Sequence, residues 1–276
     1  MKIINKKIIN DVGGVRIVQL DILSPDIAAK ALPGQFIMLM VDSQGERIPL
    51  TLVDTDPDKG VISLMFQEAG FTTRQLGRLE PNDTLYSLVG PLGHPTQIKK
   101  FGKVILVGGG VGIAEILPVA RALKAAGNQI TTILGSRNKD LLILEKELKE
   151  SSDQIYIMTD DGSYGRKGFT TEMLAELLKK DKYDLIYSVG PIPMMKRVAM
   201  VSKEYNTPTL VSLNALMVDA TGMCGCCRVS VFGQVKFSCV DGPDFDGAGV
   251  DWDELEKRNK VYAAQEKHIC QLGRHD

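Results

Sequence analysis

The first part of the chain carries short apolar segments separated by turn residues. Isoleucine, valine, leucine and methionine predominate within the segments, and aspartate, glycine and proline collect between them. Six such segments at near-regular spacing predict an antiparallel Greek-key β-barrel. The predicted strands are Lys2–Ile8, Gly14–Leu23, Gln35–Val41, Ile48–Asp54, Val61–Gln67 and Thr84–Val89, with one short helix at Thr72–Arg78.

The pattern changes after a linker that we expect to run from Gly90 to Lys100. Continuous apolar runs then alternate with stretches of helical spacing, which is typical of a doubly wound parallel sheet. The predicted strands are Lys103–Val107, Gln129–Leu134, Gln154–Met158, Asp184–Val189 and Thr209–Leu213. The predicted helices are Ile113–Ala126, Lys139–Glu150, Thr170–Lys180 and Met194–Tyr205.

The last sixty residues differ in their sequence pattern from both preceding parts. Four of the five cysteines fall within sixteen positions, an aspartate-rich run follows, and a helix is expected around Glu254–Glu266. We therefore divide the chain into a barrel (1–98), a nucleotide-binding α/β domain (99–213) and a cysteine-rich C-terminal segment (214–276).

The net charge of the chain and the length of its apolar runs argue against nucleic-acid binding and against a membrane span. The 276 residues include 33 lysines and arginines and 34 aspartates and glutamates, a net charge of −1. No basic excess is available to neutralise a nucleic-acid backbone. No apolar run approaches the ~20 residues that a membrane helix needs, and no signal peptide is apparent, so we expect a cytoplasmic protein.

A glycine-rich turn joins the first strand of the second domain to its helix. Gly108, Gly109, Gly110 and Gly112 would let the backbone turn tightly and approach a pyrophosphate at the helix N-terminus. The match to a dinucleotide fingerprint is partial, because Ile113 occupies its last glycine position. The alternative is a tight strand–helix turn that binds nothing.

Two other strand ends are expected at the same edge of the sheet, where ligands of such folds bind. One contributes Asp161, and the other contributes Gly190, Pro191 and Met194. The second strand ends in Ser136 and Arg137, with no acidic residue to bind a ribose 2′-hydroxyl. The residues alone therefore leave NAD and NADP both open.

The cysteine spacing predicts an iron–sulfur site. Plant-type [2Fe-2S] sites use C-x4-C-x2-C with a distant fourth cysteine. The corresponding frame here is Asp219-x4-Cys224-x2-Cys227-x11-Cys239, with an aspartate in the first position. We expect these four residues to be the ligands, and Cys226 and Cys270 to be uninvolved. A zinc site formed by the three cysteines and one further ligand is the alternative.

The order of barrel, nucleotide-binding sheet and late cysteines resembles the ferredoxin–NADP reductase superfamily. Within it, Met217–Arg228 and Phe237–Pro243 resemble the flavin-carrying small subunits of NADH-dependent reduced ferredoxin:NADP oxidoreductases. Electron-transfer subunits of dihydroorotate dehydrogenase are close relatives, but they carry cysteine where this chain has Asp219.

The resemblance implies FAD in the barrel and NAD(H) on the glycine-rich turn. Arg47-Ile48-Pro49-Leu50-Thr51 is similar to the superfamily's flavin motif, with the arginine on the pyrophosphate and Thr51 against the isoalloxazine. One departure is Glu115, where many relatives have proline; a carboxylate directed at the pyrophosphate would weaken its binding. The residues implied for FAD are Arg47, Pro49, Leu50, Thr51, Gly70, Thr72 and Thr73.

The resemblance also implies a function. Hydride would pass between NAD(H) and FAD, and single electrons would pass through the [2Fe-2S] cluster to a larger subunit that carries flavin and [4Fe-4S] clusters and handles NADP(H) and ferredoxin. No side chain is expected to act as an acid or base in the hydride step, and His94, His268 and His275 are assigned no role. The alternatives are an electron-transfer subunit of dihydroorotate dehydrogenase and a zinc-stabilised nucleotide-binding regulator.

Overall fold

The computed structural model describes residues 1–272, and the side chains of residues 1–268. The expectations for Cys270 and His275 concern side chains outside this described part. Within it, no helix is both long and apolar enough to cross a lipid bilayer.

The N-terminal part is a six-stranded antiparallel sheet in the order β1-β2-β5-β4-β3-β6. Strands β3, β4 and β5 are consecutive antiparallel neighbours and β6 returns beside β3, which is a Greek key. Alternate side chains of β2 and β5, among them Leu20, Ile22 and Leu64, are fully buried in the core of this sheet. The strands are β1 (Lys2–Val12), β2 (Val15–Leu23), β3 (Phe36–Met40), β4 (Arg47–Asp56), β5 (Val61–Gln67) and β6 (Ser87–Leu92), with helices α1 (Pro25–Ala28) and α2 (Phe71–Arg78).

The two edges of this sheet meet at one end. The backbone N–H of Ile3 donates to Asp83 O at 2.9 Å, and the N–H of Asn82 donates to Ile3 O at 2.9 Å. The segment before β6 thereby joins β1. Strand β6 lies later than the predicted Thr84–Val89 because Leu92 still pairs with Phe36, so Gly90–Leu92 belongs to the strand and not to the linker.

The second sheet confirms the doubly wound prediction. Its order is β10-β9-β8-β7-β11-β12-β15, and all neighbours are parallel except β15. Side chains of α3 and α4 cover one face of the sheet, and those of α5 and α6 cover the other. The elements are β7 (Lys103–Gly109), α3 (Ile113–Ala125), β8 (Gln129–Ser136), α4 (Glu145–Glu150), β9 (Gln154–Thr159), β10 (Arg166–Lys167), α5 (Thr170–Lys180), β11 (Leu185–Val189), α6 (Ile192–Glu204) and β12 (Thr209–Ser212).

The single helix predicted over Lys139–Glu150 is wrong. A 3-10 turn covers Lys139–Leu141, and α4 begins only at Glu145. Leu141 and Ile143 are both buried, at 9% and 3% exposure, because extended backbone between the turn and α4 directs both into the core. Leu144 then has a φ of 55°, which separates the turn from the helix.

The C-terminal segment adds to the second sheet. A hairpin, β13 (Arg228–Val231) and β14 (Gln234–Phe237), precedes β15 (Asp244–Asp246), which pairs with β12. Two helices, α7 (Trp252–Arg258) and α8 (Ala263–Leu272), replace the one predicted at Glu254–Glu266.

Local caps explain these two helices. The Asp251 carboxylate accepts the N–H of Glu254 and starts α7 early enough to bury Trp252 and Leu255. At the other end of α7, the Asn259 side chain donates to Asn214 O at 2.7 Å. This bond ties the end of α7 to the start of the cysteine-rich segment.

The Asp244 carboxylate connects all three parts of the chain. Thr96, in the segment after the barrel, donates its hydroxyl to Asp244 at 2.6 Å, and Tyr187 on β11 donates at 3.1 Å. The backbone N–H of Thr96 donates in turn to Pro33 O in a barrel loop. Burial raises the pKa of Asp244, and hydrogen bonds from Thr96, Tyr187 and Ser212 act against that rise.

We expect Thr96→Val to destabilise the chain by about 1–3 kcal/mol, because the Asp244 carboxylate loses one of its donors inside the protein. Urea unfolding followed by circular dichroism measures the change in the free energy of unfolding. Thr55→Val on β4, outside this network, is the matched control. Equal stabilities of the two variants would contradict the role given to Asp244.

Candidate functional site

A cavity of about 1070 Å³ lies between the barrel and the parallel sheet. All three parts of the chain contribute to its walls. Thr51 comes from the barrel, Gly110 from the glycine-rich turn, and Met217 and Pro243 from the C-terminal segment. Its volume exceeds that of typical pockets for one small ligand, about 300–1,000 Å³.

The barrel wall contains most of the residues expected to bind FAD. Pro49, Leu50 and Thr51 on β4 line the cavity, as does Thr73 in the first turn of α2. Thr72 is buried beside them, and its hydroxyl faces Glu46 at 3.5 Å. The structure thus brings the two predicted flavin motifs to the same wall.

At Gly70, the residue before α2, the backbone leaves an open position that we call the cradle. Gly70 donates its N–H to the Thr73 hydroxyl at 2.9 Å. Its backbone has a φ of −121°, which any residue adopts, and no atom of the protein lies within 4 Å of the place where a Cβ would sit. Nothing in the chain itself requires glycine there, whereas a ligand that approaches the backbone closely would.

Arg47 lies elsewhere. It lines a second, smaller cavity of about 170 Å³ together with Met38, Asp219, Ala220 and Thr221. Arg47 is not among the residues that line the large cavity, and its contact with the FAD pyrophosphate stays a prediction. Arg47 is the first residue of β4, and the second cavity places it at the strand end beside the cysteine-rich segment.

The glycine-rich turn forms the opposite wall. Gly109, Gly110 and Gly112 line the cavity. Gly108 lies inside β7, where a Cβ would meet Ile116, so its small size serves packing. At Gly112 a Cβ would lie 2.9 Å from the backbone oxygen of Val189, and only glycine allows this approach between the turn and the end of β11.

The neighbouring strand ends complete that wall. Gly190, Pro191 and Met194 line the cavity. Asp161 does not, because its carboxylate accepts the N–H and hydroxyl of Ser163 in its own loop. Asp160 lines the cavity in its place.

Several lining residues were missed by the sequence reasoning. One available signal was a tetrapeptide that occurs twice: Gly-Phe-Thr-Thr begins α2 at residues 70–73 and α5 at residues 168–171. All four residues of the second copy line the cavity, and Thr73 of the first copy does. Among the missed residues are Gln67, Asp160, Phe169, Thr170, Thr171, Arg197, Ser212 and Asn214.

Glu115 is the most perturbed acid of this cavity. Burial raises the pKa of Glu115 to about 7, with the negative charge of Asp244 adding to the rise and a hydrogen bond with Thr51 opposing it. The carboxyl therefore faces the barrel strand β4. Glu115 also lies in the first turn of α3, so the expectation that it weakens pyrophosphate binding stays a prediction.

The cysteines lie close to one another but in different environments. Cys227 and Cys239 are buried, and the Cys227 thiol donates to the Cys239 sulfur at 3.2 Å. Cys224 is exposed, and the backbone N–H of Cys226 lowers its pKa. Burial, followed by the neighbouring Cys227 thiol, raises the pKa of Cys239 to about 12.

Asp219 lies near Cys224 and accepts the hydroxyl of Thr221. Across the described residues, no three histidine, cysteine, aspartate or glutamate side chains are already arranged around one metal position. The donor set still fits a thiophilic cluster, because several thiols are gathered in one loop and soft thiolates are the usual ligands of iron–sulfur clusters.

Two family models match the chain. One, described as the iron–sulfur cluster binding domain of dihydroorotate dehydrogenase B, matches residues 214–251. The other, described as an oxidoreductase NAD-binding domain, matches residues 106–200. These matches favour a cluster over the zinc alternative and confirm that the second sheet is an NAD-binding domain.

Curated relatives are similar in sequence to this chain along most of its length. A homologue of the electron transfer subunit of dihydroorotate dehydrogenase B (NAD(+)) from Thermotoga maritima is 51% identical over 244 residues, 88% of this chain and 86% of that protein. A probable subunit of the same kind from Methanopyrus kandleri is 34% identical over 81% of this chain and 82% of its own length.

Solved structures confirm the fold. One concerns flavin-based electron bifurcation by an NADH-dependent reduced ferredoxin-NADP oxidoreductase; it matches with a TM-score of 0.94 and 44% identity over 100% of this chain and 98% of that chain. A ferredoxin-NADP+ reductase of Plasmodium falciparum shares the fold at 16% identity, with a TM-score of 0.61 over 73% of this chain and 91% of that chain.

The raised pKa of Glu115 predicts a pH-dependent stability. The folded chain holds the Glu115 proton up to about pH 7, whereas an unfolded glutamate releases it near 4.5. The folded state therefore binds more protons inside this window, and its stability falls as the pH rises through it. A difference of ~2.5 pKa units corresponds to about 3 kcal/mol.

We expect Glu115→Gln to remove this contribution. The free energy of unfolding of the wild-type chain, measured relative to that of the variant, should decline by about 3 kcal/mol between pH 4.5 and pH 7. Urea titrations of both proteins at several pH values measure it. Parallel pH profiles would show that Glu115 titrates in its ordinary range.

Proposed function

Because the chain belongs to the family of electron-transfer subunits of dihydroorotate dehydrogenase B and their homologues, we propose that it exchanges hydride between NAD(H) and FAD and single electrons through a [2Fe-2S] cluster with a larger partner subunit. It is an oxidoreductase subunit with an NAD-binding domain and an iron–sulfur cluster-binding segment. Three functional units follow the division at 1–98, 99–213 and 214–276.

One observation carries the proposal. A single cavity is lined on one wall by Ala69 and Thr73, which lie on either side of the Gly70–Thr72 turn, and on the other wall by the Gly109–Gly112 turn. Each turn leads into a helix N-terminus, which supplies free N–H groups and a partial positive charge to a phosphate. Two nucleotides bound to these turns would share the space between them, as transfer between a nicotinamide and a flavin requires.

The barrel residues fit FAD. The open position at the Gly70 Cβ leaves room for a phosphate close to the backbone, and Pro49, Leu50 and Thr51 offer a flat strand surface. FAD would accept electrons as a pair from the nicotinamide and release them singly, which the nicotinamide does poorly. The role of the chain is to hold both cofactors, orient them and exclude water between them.

The cysteine-rich segment is placed to take these electrons. Met217 lines the large cavity, and it shares a hydrophobic core with the barrel residue Phe36 and with Cys227 and Cys239. Packed protein therefore connects the cavity wall to the buried thiols. We propose Asp219, Cys224, Cys227 and Cys239 as the cluster ligands.

Arg47 supports this ligand set. It borders the small cavity that Asp219 also lines, so its guanidinium lies at the boundary between the barrel and the proposed cluster loop. A permanent positive charge beside the loop would compensate part of the negative charge of a cluster held by three thiolates and one carboxylate. Arg47 is thus assigned to the cluster side of the flavin site.

The partner follows from the same family. The matching solved structure concerns an NADH-dependent reduced ferredoxin-NADP oxidoreductase, and the relatives are named after dihydroorotate dehydrogenase B. We propose a larger flavin and [4Fe-4S] subunit that handles NADP(H) and ferredoxin, in a cytoplasmic hetero-oligomer. The second candidate is a dihydroorotate-oxidising subunit, which the names of the relatives favour.

The deciding experiment is an ultraviolet–visible spectrum of the anaerobically purified chain, with flavin, iron and sulfide assays on the same sample. Flavin bands over a broad iron–sulfur absorption, with two irons and one FAD per chain, support the proposal. A sample that stays colourless after reconstitution with FAD, iron and sulfide contradicts it. The partner that co-purifies from cells then decides between the two complexes.

We expect Gly70→Ala to weaken FAD binding at least about tenfold, equivalent to about 1.4 kcal/mol. Its methyl group would fill the cradle without meeting any atom of the protein, so the thermal stability of the flavin-free chain should not change. Fluorescence titration with FAD measures the affinity. Gly45→Ala, in the turn before β4, is the control and should bind FAD normally.

We expect Asp219→Cys to keep a [2Fe-2S] cluster with a lower reduction potential, since a thiolate donates more charge to iron than a carboxylate does. The electron paramagnetic resonance spectrum of the reduced protein should change, while Cys226→Ser should leave it as in the wild type. A spectrum unaffected by Asp219→Cys would remove Asp219 from the ligand set.

The isolated, cofactor-loaded chain should reduce artificial dyes with NADH but should not couple NADPH oxidation or formation to ferredoxin. The reason is that the described residues offer a nucleotide cavity and one cysteine-rich loop, and the coupling requires the sites of the partner. Steady-state assays with the single chain measure both activities. Coupled ferredoxin reduction by this chain alone would contradict the need for a partner.

A further inference from the structure

Glu115 lies at the boundary between the two proposed nucleotide sites. It lies in the first turn of α3, directly after the Gly110–Gly112 turn, and α3 packs against the barrel strand β4. Its side chain lines the large cavity, as does Thr51, whose hydroxyl lowers the pKa of the Glu115 carboxyl. One acidic group is therefore shared by the wall assigned to FAD and the wall assigned to NAD(H).

Among the described residues, no cation acts on this carboxyl. From β15 the nearest charge is that of Asp244, from β11 the nearest titratable group is the Tyr187 hydroxyl, and from β4 the neighbour is the neutral Thr51. The nearest ion pair of α3, Arg121 with Asp54, lies on the exposed side of the helix. The Thr51 hydroxyl and the N-terminal dipole of α3 favour the ionised form.

The proposed reaction changes the charge of this cavity. Hydride transfer moves one proton and two electrons, and hence one negative charge, from NADH to the bound cofactor and leaves NAD⁺. When the two electrons depart singly through the cluster, the proton of the hydride must also depart. The sum is NADH → NAD⁺ + H⁺ + 2 e⁻. The hydride step itself leaves the total charge of the cavity unchanged. The cavity is one charge more negative than before once NAD⁺ has left, and it returns to its first charge when the two electrons and the proton depart.

We propose that Glu115 compensates this charge: it takes up a proton from solvent when NAD⁺ leaves and the reduced flavin makes the cavity more negative, and it releases that proton when the electrons leave. This inference rests on the proposed function. Uptake and release cancel over one turnover, so the overall reaction is unchanged. Glu115 is therefore a positioning residue: it adjusts the charge of the cavity and does not itself transfer the hydride.

The acid–base properties of the group suit this role. A pKa of about 7 lets the Glu115 carboxyl change its protonation within the physiological range when a neighbouring charge changes. A surface glutamate, which is ionised throughout that range, could not respond. Asp244 is less suited, because hydrogen bonds from Thr96, Tyr187 and Ser212 all stabilise its charged form.

The test uses the full-length, FAD-loaded chain and measures the midpoint potential of the bound flavin between pH 6 and pH 8. One extra proton taken up per two electrons steepens this dependence by about 30 mV per pH unit. We expect the wild type to be steeper than Glu115→Gln by up to this amount. Glu150→Gln, at the exposed end of α4, is the control and should match the wild type.

Infrared difference spectra give a second readout. Reduction of the wild-type chain should produce the C=O stretch of a newly protonated carboxyl, which Glu115→Gln should lack and Glu115→Asp should retain at a shifted position. If Glu115→Gln does not fold, the wild-type spectrum and the Glu115→Asp variant still decide the question.

The outcomes separate the two claims. A chain that folds but never binds FAD contradicts the proposed function and this inference together. A chain that binds FAD normally, but whose potential has the same pH dependence with and without Glu115 and whose spectrum shows no new carboxyl band, overturns the inference and leaves the proposed function intact.

Discussion

The fold depends on how one acidic side chain is accommodated where three parts of the chain meet. Asp244 stands on β15, at the edge of the parallel sheet, and accepts hydrogen bonds from Thr96 after the barrel and from Tyr187 within the sheet. A carboxylate removed from water is costly unless such donors surround it. The barrel, the sheet and the cysteine-rich segment must therefore keep their mutual positions for this group to be satisfied.

That arrangement creates the cavity. Barrel residues Ile17, Val53 and Met65 share one hydrophobic core with α3, so the barrel rests on the helix that follows the glycine-rich turn. Because glycine is required at residue 112, the turn and the end of β11 approach each other closely and the wall opposite the barrel stays shallow. The space between the walls is the volume that two nucleotides would fill.

The features readable from the sequence were those that depend on local backbone. Runs of alternating residues gave the barrel strands, and Gly108–Gly112 and the cysteine spacing gave the two motifs, because a tight turn or a metal-ligand loop requires particular residues at fixed intervals. The direction of Arg47, the replacement of Asp161 by Asp160 at the cavity and the break at Leu144 depend on strand ends and on tertiary burial. None of these three features is encoded in a short stretch of sequence. The Gly-Phe-Thr-Thr recurrence was readable, and only the fold shows that both copies contribute to the same cavity.

The distribution of charge in the cavity has a consequence for selectivity. Glu115 lines it and is close to the barrel strand β4, whereas Arg137 and Arg197 line it with residues of the sheet edge. Phosphates favour the side where backbone N–H groups and arginines are available, and uncharged rings favour the side of Glu115, where a negative group would be repelled. A nucleotide entering this cavity is therefore oriented by charge before any specific contact forms. In the proposed function, the reactive rings of two such nucleotides would meet beside Thr51 and Glu115, where the chain can exclude water and still hold one exchangeable proton.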